Sequence, residues 1–441
     1  MKWNKLGRGT LASILSLALV SVTACSRDYV LAYVYVTTAK PLNAATSQNG
    51  GVSAYAVDYQ IGSLTPLADS PIEAGRNPVT LVASPNGLNL YVVNHDDSTV
   101  GEYSIGTDGK IYLQNTYNVT GSAPTAIAID AAGAFLYVTF TYQIGQNGQQ
   151  LYSPASPGPG GVTIFPISSG GALGTPSTVN VGNTPIGVVV SRPQCQPAAS
   201  YNSANPKCTV SSGTGAGLSG NETSFVYVVD QEVSPNATVL GFSQNMTTGA
   251  LTPTPGTVIT TGSTGKTMAT GYGAGTTPSA IAEDPSSRFV YITDEATNQL
   301  YGYTPTNSGS LVAMNTSPFA TGIFPVGITI DPRGEFLYVA NLTSSTVSAY
   351  AIDSNTGTPV GSVGSASTAT DTAPTCVTIE PALGIYLYTS NNLANTVSAM
   401  QLNPHNGGLA QVQNTPFPAS GLPTCAVAVA NGSHPTQIIN P

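Results

Sequence analysis

Two stretches lie fifty residues apart in this chain, FLYVANLTSSTVSAYAID (336–353) and YLYTSNNLANTVSAMQLN (386–403). They align without a gap and share Leu-Tyr, an Asn three residues after that Tyr, and Thr-Val-Ser-Ala. A chain that restates a unit at this spacing buries its apolar faces by stacking successive copies, so the repeat limits the fold before any single residue does. The pattern recurs along the whole chain. Ahead of each Leu-Tyr-type segment stands a Pro followed by alternating apolar positions: NPVTLVAS (77–84), APTAIAID (123–130), TPIGVVVS (184–191), TPSAIAED (277–284), FPVGITID (324–331), APTCVTIE (373–380) and LPTCAVAV (422–429). The aromatic segments also number seven: AYVYVTT, LYVVN, LYVTF, VYVVD, VYITD, LYVAN and LYTSN. A third segment such as STVSAYAID follows each, and then a turn with a short fourth, such as NSGSLVA or HNGGLAQ.

Within a unit the apolar residues alternate with period two, which is strand spacing. Asp331-Pro332-Arg333-Gly334 and Ser84-Pro85-Asn86-Gly87 place Pro second and Gly fourth, as tight turns require. Pro71, Pro318 and Pro416 fall in the fourth segment, which suits an outer edge strand that must not pair with another chain. Four short antiparallel strands per unit, seven units and no helical pattern after the N-terminus predict an all-β, seven-bladed β-propeller. Anchoring prolines are 46 to 49 residues apart where nothing is inserted. The last Pro-anchored segment (Cys425 to Val429) has no aromatic strand after it, and the first aromatic strand (Tyr33 to Val36) has no Pro-anchored segment before it. The two ends should therefore share one blade and close the ring. The second residue after each Pro is Thr80, Ala126, Gly187, Ala280, Gly327, Cys376 or Cys425, small enough for strands crowded near an axis.

Composition narrows the partners. Charged residues make up 7% of the chain and the net charge is −9, against about a quarter charged in ordinary soluble domains. With no Lys/Arg cluster in the body of the chain, nucleic acid is excluded as a partner, since phosphate neutralisation needs one. Lys2, Lys5 and Arg8 precede the short apolar run LASILSLALV, the layout of a secretory signal. The run ends at Val22-Thr23-Ala24-Cys25, which resembles the bacterial lipobox, with Cys25 as the lipidated residue. Ser26 after it favours outer-membrane delivery by the same resemblance. The expected organisation is a signal over 1–24, a lipidated tether over 25–28, the propeller over 29–432 and a tail over 433–441. Multiple acyl chains on one residue give stable anchoring.

Three units carry insertions, at 141–161, 192–223 and 255–276. The third is expected to hold the last strand of the fourth blade and the way into the fifth. Cys195 and Cys208 bracket a short loop in the second and, in an exported chain, are expected to form a disulfide worth about 3 kcal/mol. Cys376 and Cys425 occupy the same repeat position on neighbouring inner strands. They read as two small buried side chains equivalent to Ala126 and Gly327, with a bridge between them left open. GSTGKT (262–267) lacks the first glycine of a phosphate-binding loop and no helix pattern follows it. No Cys/His spacing suggests a metal, and no cofactor motif is found.

The YV-T/A-N core of the units resembles the YVTN-type, lactonase-like propeller family, some of whose members are similar to 6-phosphogluconolactonase. The resemblance implies this fold over nearly the whole chain after the signal. In the lactonase branch an Arg-His pair follows the anchoring Pro of an inner strand, and a Glu follows the Asn that ends the next strand. Here Pro278-Ser279-Ala280 stands at the first position, and Glu295 in Thr293-Asp294-Glu295 matches the second. Of the three histidines, His405 lies in a turn, His434 in the tail and His95 at the end of a second strand. No GxSxG elbow is present.

Strand-end residues should gather on one face: Arg76, Asn94, His95, Asp96, Asp97, Asp230, Glu232, Asp294, Glu295, Asn341, Asn391 and Asn392. They are the candidate ligand face. The chain therefore reads as an envelope-anchored binding or scaffolding module for a glycan, a peptide or an envelope protein, held to the membrane by its lipid. The competing reading is a lactone hydrolase that uses Glu295, His95 and Arg76 in a rearranged site.

Overall fold

The computed structural model describes residues 30–143, 159–195, 222–231, 237–261, 267–361 and 367–432. Seven antiparallel sheets follow one another round an axis, each built on a path of four strands that in six of them runs in chain order from the axis outward. The unit at 325–361 shows why the sequence alternates as it does. Its inner strand Pro325–Ile330 pairs with Phe336–Asn341, which pairs with Thr346–Ile352, which pairs with Pro359–Gly361. Phe336–Asn341 is buried along its whole length. Phe336, Tyr338 and Ala340 pack into the layer shared with the following blade, whereas Leu337 and Val339 pack into the layer shared with the preceding one. A strand sandwiched between two sheets needs apolar residues on both faces, and the period of two sends them alternately to each side.

Counting by inner strands, blades 2 to 7 begin at Pro78, Gly121, Pro185, Pro278, Pro325 and Pro374. Blade 1 is made from both ends of the chain. Its inner strand is Pro423–Ala430, paired antiparallel with Val30–Thr38 from Ala32↔Ala430 to Thr38↔Pro423. The expected closure is thus present, and Leu31, Val34 and Val36 pack with Tyr388 and Val397 of blade 7 across the seam. Pro71, Pro318 and Pro416 interrupt the outer strands of blades 1, 5 and 7, splitting each into two short pieces. Among the described residues there is no helix.

The Tyr of the repeated Leu-Tyr is the ring's main polar fastening. In all seven blades its hydroxyl donates to the carbonyl of a glycine in the outer turn of the next blade, at 2.6 to 3.2 Å: Tyr35 to Gly109, Tyr91 to Gly171, Tyr137 to Gly249, Tyr227 to Gly309, Tyr291 to Gly357, Tyr338 to Gly407 and, across the seam, Tyr388 to Gly62. Each of these glycines has positive φ. Burial pushes the phenols well up from their ordinary value. Tyr338→Phe should cost about 1–2 kcal/mol, the price of one buried hydrogen bond and a carbonyl left unpaired, read as a shift in the urea midpoint at unchanged slope.

The face opposite the blade connections is closed by a second repeated device. Asp331 Oδ1 accepts from the Glu335 and Phe336 amides, both at 2.8 Å, and Asp130, Asp284 and Glu380 cap the equivalent turns.

Two expectations are corrected. Cys376 and Cys425 are bridged, with their Cα atoms 4.9 Å apart. Inner strands converge towards the axis closely enough to fall inside the geometric limit for a disulfide. The outermost strand of blade 4 is Leu251–Pro253, before the third insertion. The insertion instead folds as its own hairpin, Val258–Thr261 with Thr267–Thr270, and returns through Tyr272–Gly273 to the third strand of the blade. The lipobox with Cys25, the Cys195–Cys208 pairing and Glu232 lie outside the described side chains.

Candidate functional site

Each second strand ends on the face that carries the blade connections, here called the loop face. The residue at this end is Thr38, Asn94, Asp230, Asp294, Asn341 or Asn391 in six blades, and in blade 3, whose second strand runs on to Gln143, the equivalent place is Phe140. The five Asn and Asp residues are at most 2% exposed. Asn341 Oδ1 accepts from the Gly322 amide at 3.1 Å while its Nδ2 donates to Ser348 Oγ at 2.9 Å. Asn94 Oδ1 likewise accepts from the Gly75 amide at 3.0 Å, and Asn391 Nδ2 donates to Ser398 Oγ at 2.9 Å. Asp294 accepts from the Thr276 and Thr277 amides at 2.8 and 2.9 Å and from the Thr297 hydroxyl at 2.7 Å. Asp230 accepts from the Thr184 amide at 2.8 Å. Asn94, Asp230, Asp294 and Asn341 thus clamp the connection that leads from the preceding blade into the inner strand of their own. A glycine stands three residues before five of the anchoring positions because that connection touches the clamp. A Cβ on Gly275 would lie 2.2 Å from Asp294 Oδ2, and one on Gly322 2.5 Å from Asn341 Cγ.

The groups left at the surface belong to the next residue along. His95, Gln231, Glu295 and Asn392 hold equivalent places, each amide donating to the carbonyl just before its blade's anchoring Pro. At the junction of blades 1 and 2 the sequence-predicted residues do assemble. Arg76 forms an ion pair with Asp97, and its Nη2 donates to the Asp96 carbonyl at 3.0 Å. Asp96 Oδ1 meets His95 Nδ1 at 2.7 Å and accepts from Asn77 Nδ2 at 3.1 Å. Burial pushes the Asp96 carboxyl up, but these two hydrogen bonds and the nearby Arg76 charge outweigh it and hold the group below the usual carboxylate range. Beside the cluster lies a cavity of about 290 Å3, lined by Asn49, Asn94, Asp97, Thr99, Tyr103 and Thr116.

Glu295 does not join this cluster. It is in blade 5, three places round a ring of seven from His95, and so stands across the axis. It is half-buried, and desolvation, with the charge of Asp294 beside it, pushes its carboxyl up. At the place where the resemblance calls for an Arg-His pair, Ser279 donates to the Pro325 carbonyl at 2.6 Å and meets Thr293 Oγ1 at 2.8 Å. The same contact recurs as Thr125 to the Pro185 carbonyl at 2.6 Å and Thr424 to the Pro78 carbonyl at 2.8 Å, so this position links neighbouring inner strands. Gln231 was not anticipated as a site residue. Its Nε2 donates to the Pro278 carbonyl at 2.9 Å, and its place one residue past the clamp was the signal that could have found it. Among the described residues no group of three or more His, Cys, Asp or Glu side chains is placed to hold a metal ion.

Seven stacked sheets with a sealed seam and a loop-lined mouth define the class: a β-propeller whose variable groups sit one residue beyond a conserved internal clamp. The chain belongs to the lactonase seven-bladed β-propeller family, whose model matches residues 33–197 and 206–379. Among solved structures it is similar to a Bacteroides uniformis protein provisionally named a 6-phosphogluconolactonase (17% identity, TM-score 0.64, covering 90% of this chain and 99% of that one). It is similar also to the periplasmic gluconolactonase of Pseudomonas aeruginosa (16% identity, TM-score 0.61, covering 91% and 99%). At such identities the likeness is one of fold. No curated protein matches the chain in sequence.

Proposed function

We propose that the chain is a lipid-anchored binding propeller of the cell envelope, taking a polyhydroxylated ligand of the sugar or glycan class at the loop face without turning it over. The observation that carries this reading is the isolation of Glu295. The neighbouring position that would complete a lactonase-type site holds Ser279, and its hydroxyl fastens one blade to the next. Glu295, Gln231 and Asn392 instead put a carboxyl and two amides at equivalent places, donors and acceptors suited to hydroxyl groups. Anchoring is supported by the lipobox at Cys25, and an oxidising compartment by the Cys376–Cys425 bridge.

Family membership and one further observation favour a second reading, lactone hydrolysis. A half-buried carboxyl raised towards neutrality, as Glu295 is, fits general acid–base work. The two readings part on one experiment with the purified mature chain. Binding of gluconate and neutral oligosaccharides is followed calorimetrically while hydrolysis of gluconolactone is followed by proton release. Saturable binding without lactone turnover is expected, weakened about tenfold, or roughly 1.4 kcal/mol, by Glu295→Gln. Turnover above the spontaneous rate that disappears in Glu295→Gln would establish the hydrolase instead.

A further inference from the structure

At the end of the axis away from the loop face, the inner strands of blades 2 to 5 enclose a cavity of about 410 Å3. Val82, Ile127, Val188 and Ile281 give it apolar walls, and Glu283, with Arg192, Asp284 and Ser287 beside it, makes up the polar part of the lining. Glu283 stands five residues after its anchoring Pro. The other six blades put Ala83, Ile129, Val190, Ile330, Ile379 and Ala428 there, so the carboxyl is peculiar to blade 5. One side of it meets Ser287, which is itself fixed by the Arg192 amide donating to Ser287 Oγ at 2.8 Å. The other oxygen, Oε1, is shut away without a hydrogen-bond partner. Removing a carboxyl from water and leaving one oxygen unmatched costs stability. The repeat does not demand that cost, since isoleucine fills the same place three times.

We propose that this axial cavity binds a small organic cation, an apolar body bearing a protonated amine, with Glu283 as its counter-ion. The volume lies in the range of small-molecule sites, about 300–1,000 Å3, and apolar walls with a few placed polar groups are their usual composition. An ammonium brings three donors, of which one can meet Oε1. The charged and titratable groups facing Glu283 are Asp284, Arg192 and Tyr227. Asp284 is taken by Arg288 at 3.0 Å and by the Phe289 amide at 2.9 Å, and the Arg192 side chain is exposed. Neither is placed to satisfy Oε1. Burial pushes the Glu283 carboxyl well above its ordinary value, and a bound ammonium acts the opposite way, favouring loss of its proton.

The test uses the mature, disulfide-intact chain and three probes of matched length: hexylamine, hexan-1-ol and hexanoate. Calorimetry should show the amine binding at least about tenfold more tightly than the other two, with net proton release on amine binding read from buffers of differing ionisation heat. Glu283→Gln should weaken the amine about tenfold or more and leave the alcohol unchanged. Glu283→Ile, which restores the residue of blades 6 and 7, should abolish amine binding and raise the melting temperature by several degrees. Equal affinity for amine and alcohol, an amine affinity unmoved in Glu283→Gln, or no amine binding up to about 10 mM overturns the proposal.

Discussion

Gly62→Ala should destabilise the propeller by about 2–5 kcal/mol, the sum of a left-handed alanine and an over-packed contact. Gly62 has φ +67°, and a Cβ there would lie 2.2 Å from Tyr386 Cδ1. Its carbonyl also receives the Tyr388 hydroxyl at 2.9 Å, so moving the turn to relieve the clash stretches the fastening between blade 7 and blade 1. The arrangement is repeated at Gly109 against Tyr33, Gly249 against Phe135, Gly357 against Phe289 and Gly407 against Phe336. Gly361 supplies the control, because nothing lies within 4 Å of the Cβ position there. Its replacement by alanine should change stability by about 0.5 kcal/mol or less. Urea unfolding of both variants decides the matter. A neutral Gly62→Ala would mean that the Tyr–Gly belt does not set the blade spacing.

That belt was half legible beforehand. The repeat, the number of blades and the sealing of Val30–Thr38 onto Pro423–Ala430 all follow from period-two patterning and from counting incomplete units at the two ends. The reason for the recurring Tyr does not, because its partner glycine is 74 to 112 residues later in the first three blades and 326 earlier in the last. No local rule joins such distant residues.

The candidate face was legible in place and misjudged in kind. Asn94, Asp230, Asp294, Asn341 and Asn391 were expected beside His95 and Glu295, and they are on the same face, one residue earlier. Polar residues at strand ends look wet in a sequence. Here the connection arriving from the preceding blade, through Gly75, Gly182, Gly275 and Gly322, covers the first four and turns their oxygens onto backbone amides, while Asn391 is buried against the hydroxyls of Thr396 and Ser398. The GxxP spacing before the anchoring prolines recorded that approach, but only as the absence of a side chain. Glu295 and His95, by contrast, escape the clamp and keep their chemistry. Two such groups on blades three apart can contact opposite sides of one ligand at the mouth more readily than they can share a proton.

Loss of the Cys376–Cys425 bridge should remove about 4 kcal/mol of stability, from the chain entropy restored to an unfolded loop of this length. The bonded residues are 49 apart in sequence and tie the inner strand of blade 7 to the C-terminal inner strand of blade 1. Blade 1 is otherwise held by non-covalent contacts: strand pairing, packing and side-chain hydrogen bonds such as Tyr388 to the Gly62 carbonyl. Because Ala126 occupies the equivalent place in blade 3, the double variant Cys376→Ala/Cys425→Ala keeps the packing and removes the covalent link. Wild type and double variant are unfolded in urea with and without reductant. The wild type should fall to the stability of the double variant when reduced, and the double variant should respond much less, which separates this bond from any contribution of Cys195 and Cys208. A difference under about 1 kcal/mol between the oxidised proteins, well below the usual disulfide range, would show that strand pairing alone holds the seam. A large one would make full stability depend on an oxidising compartment.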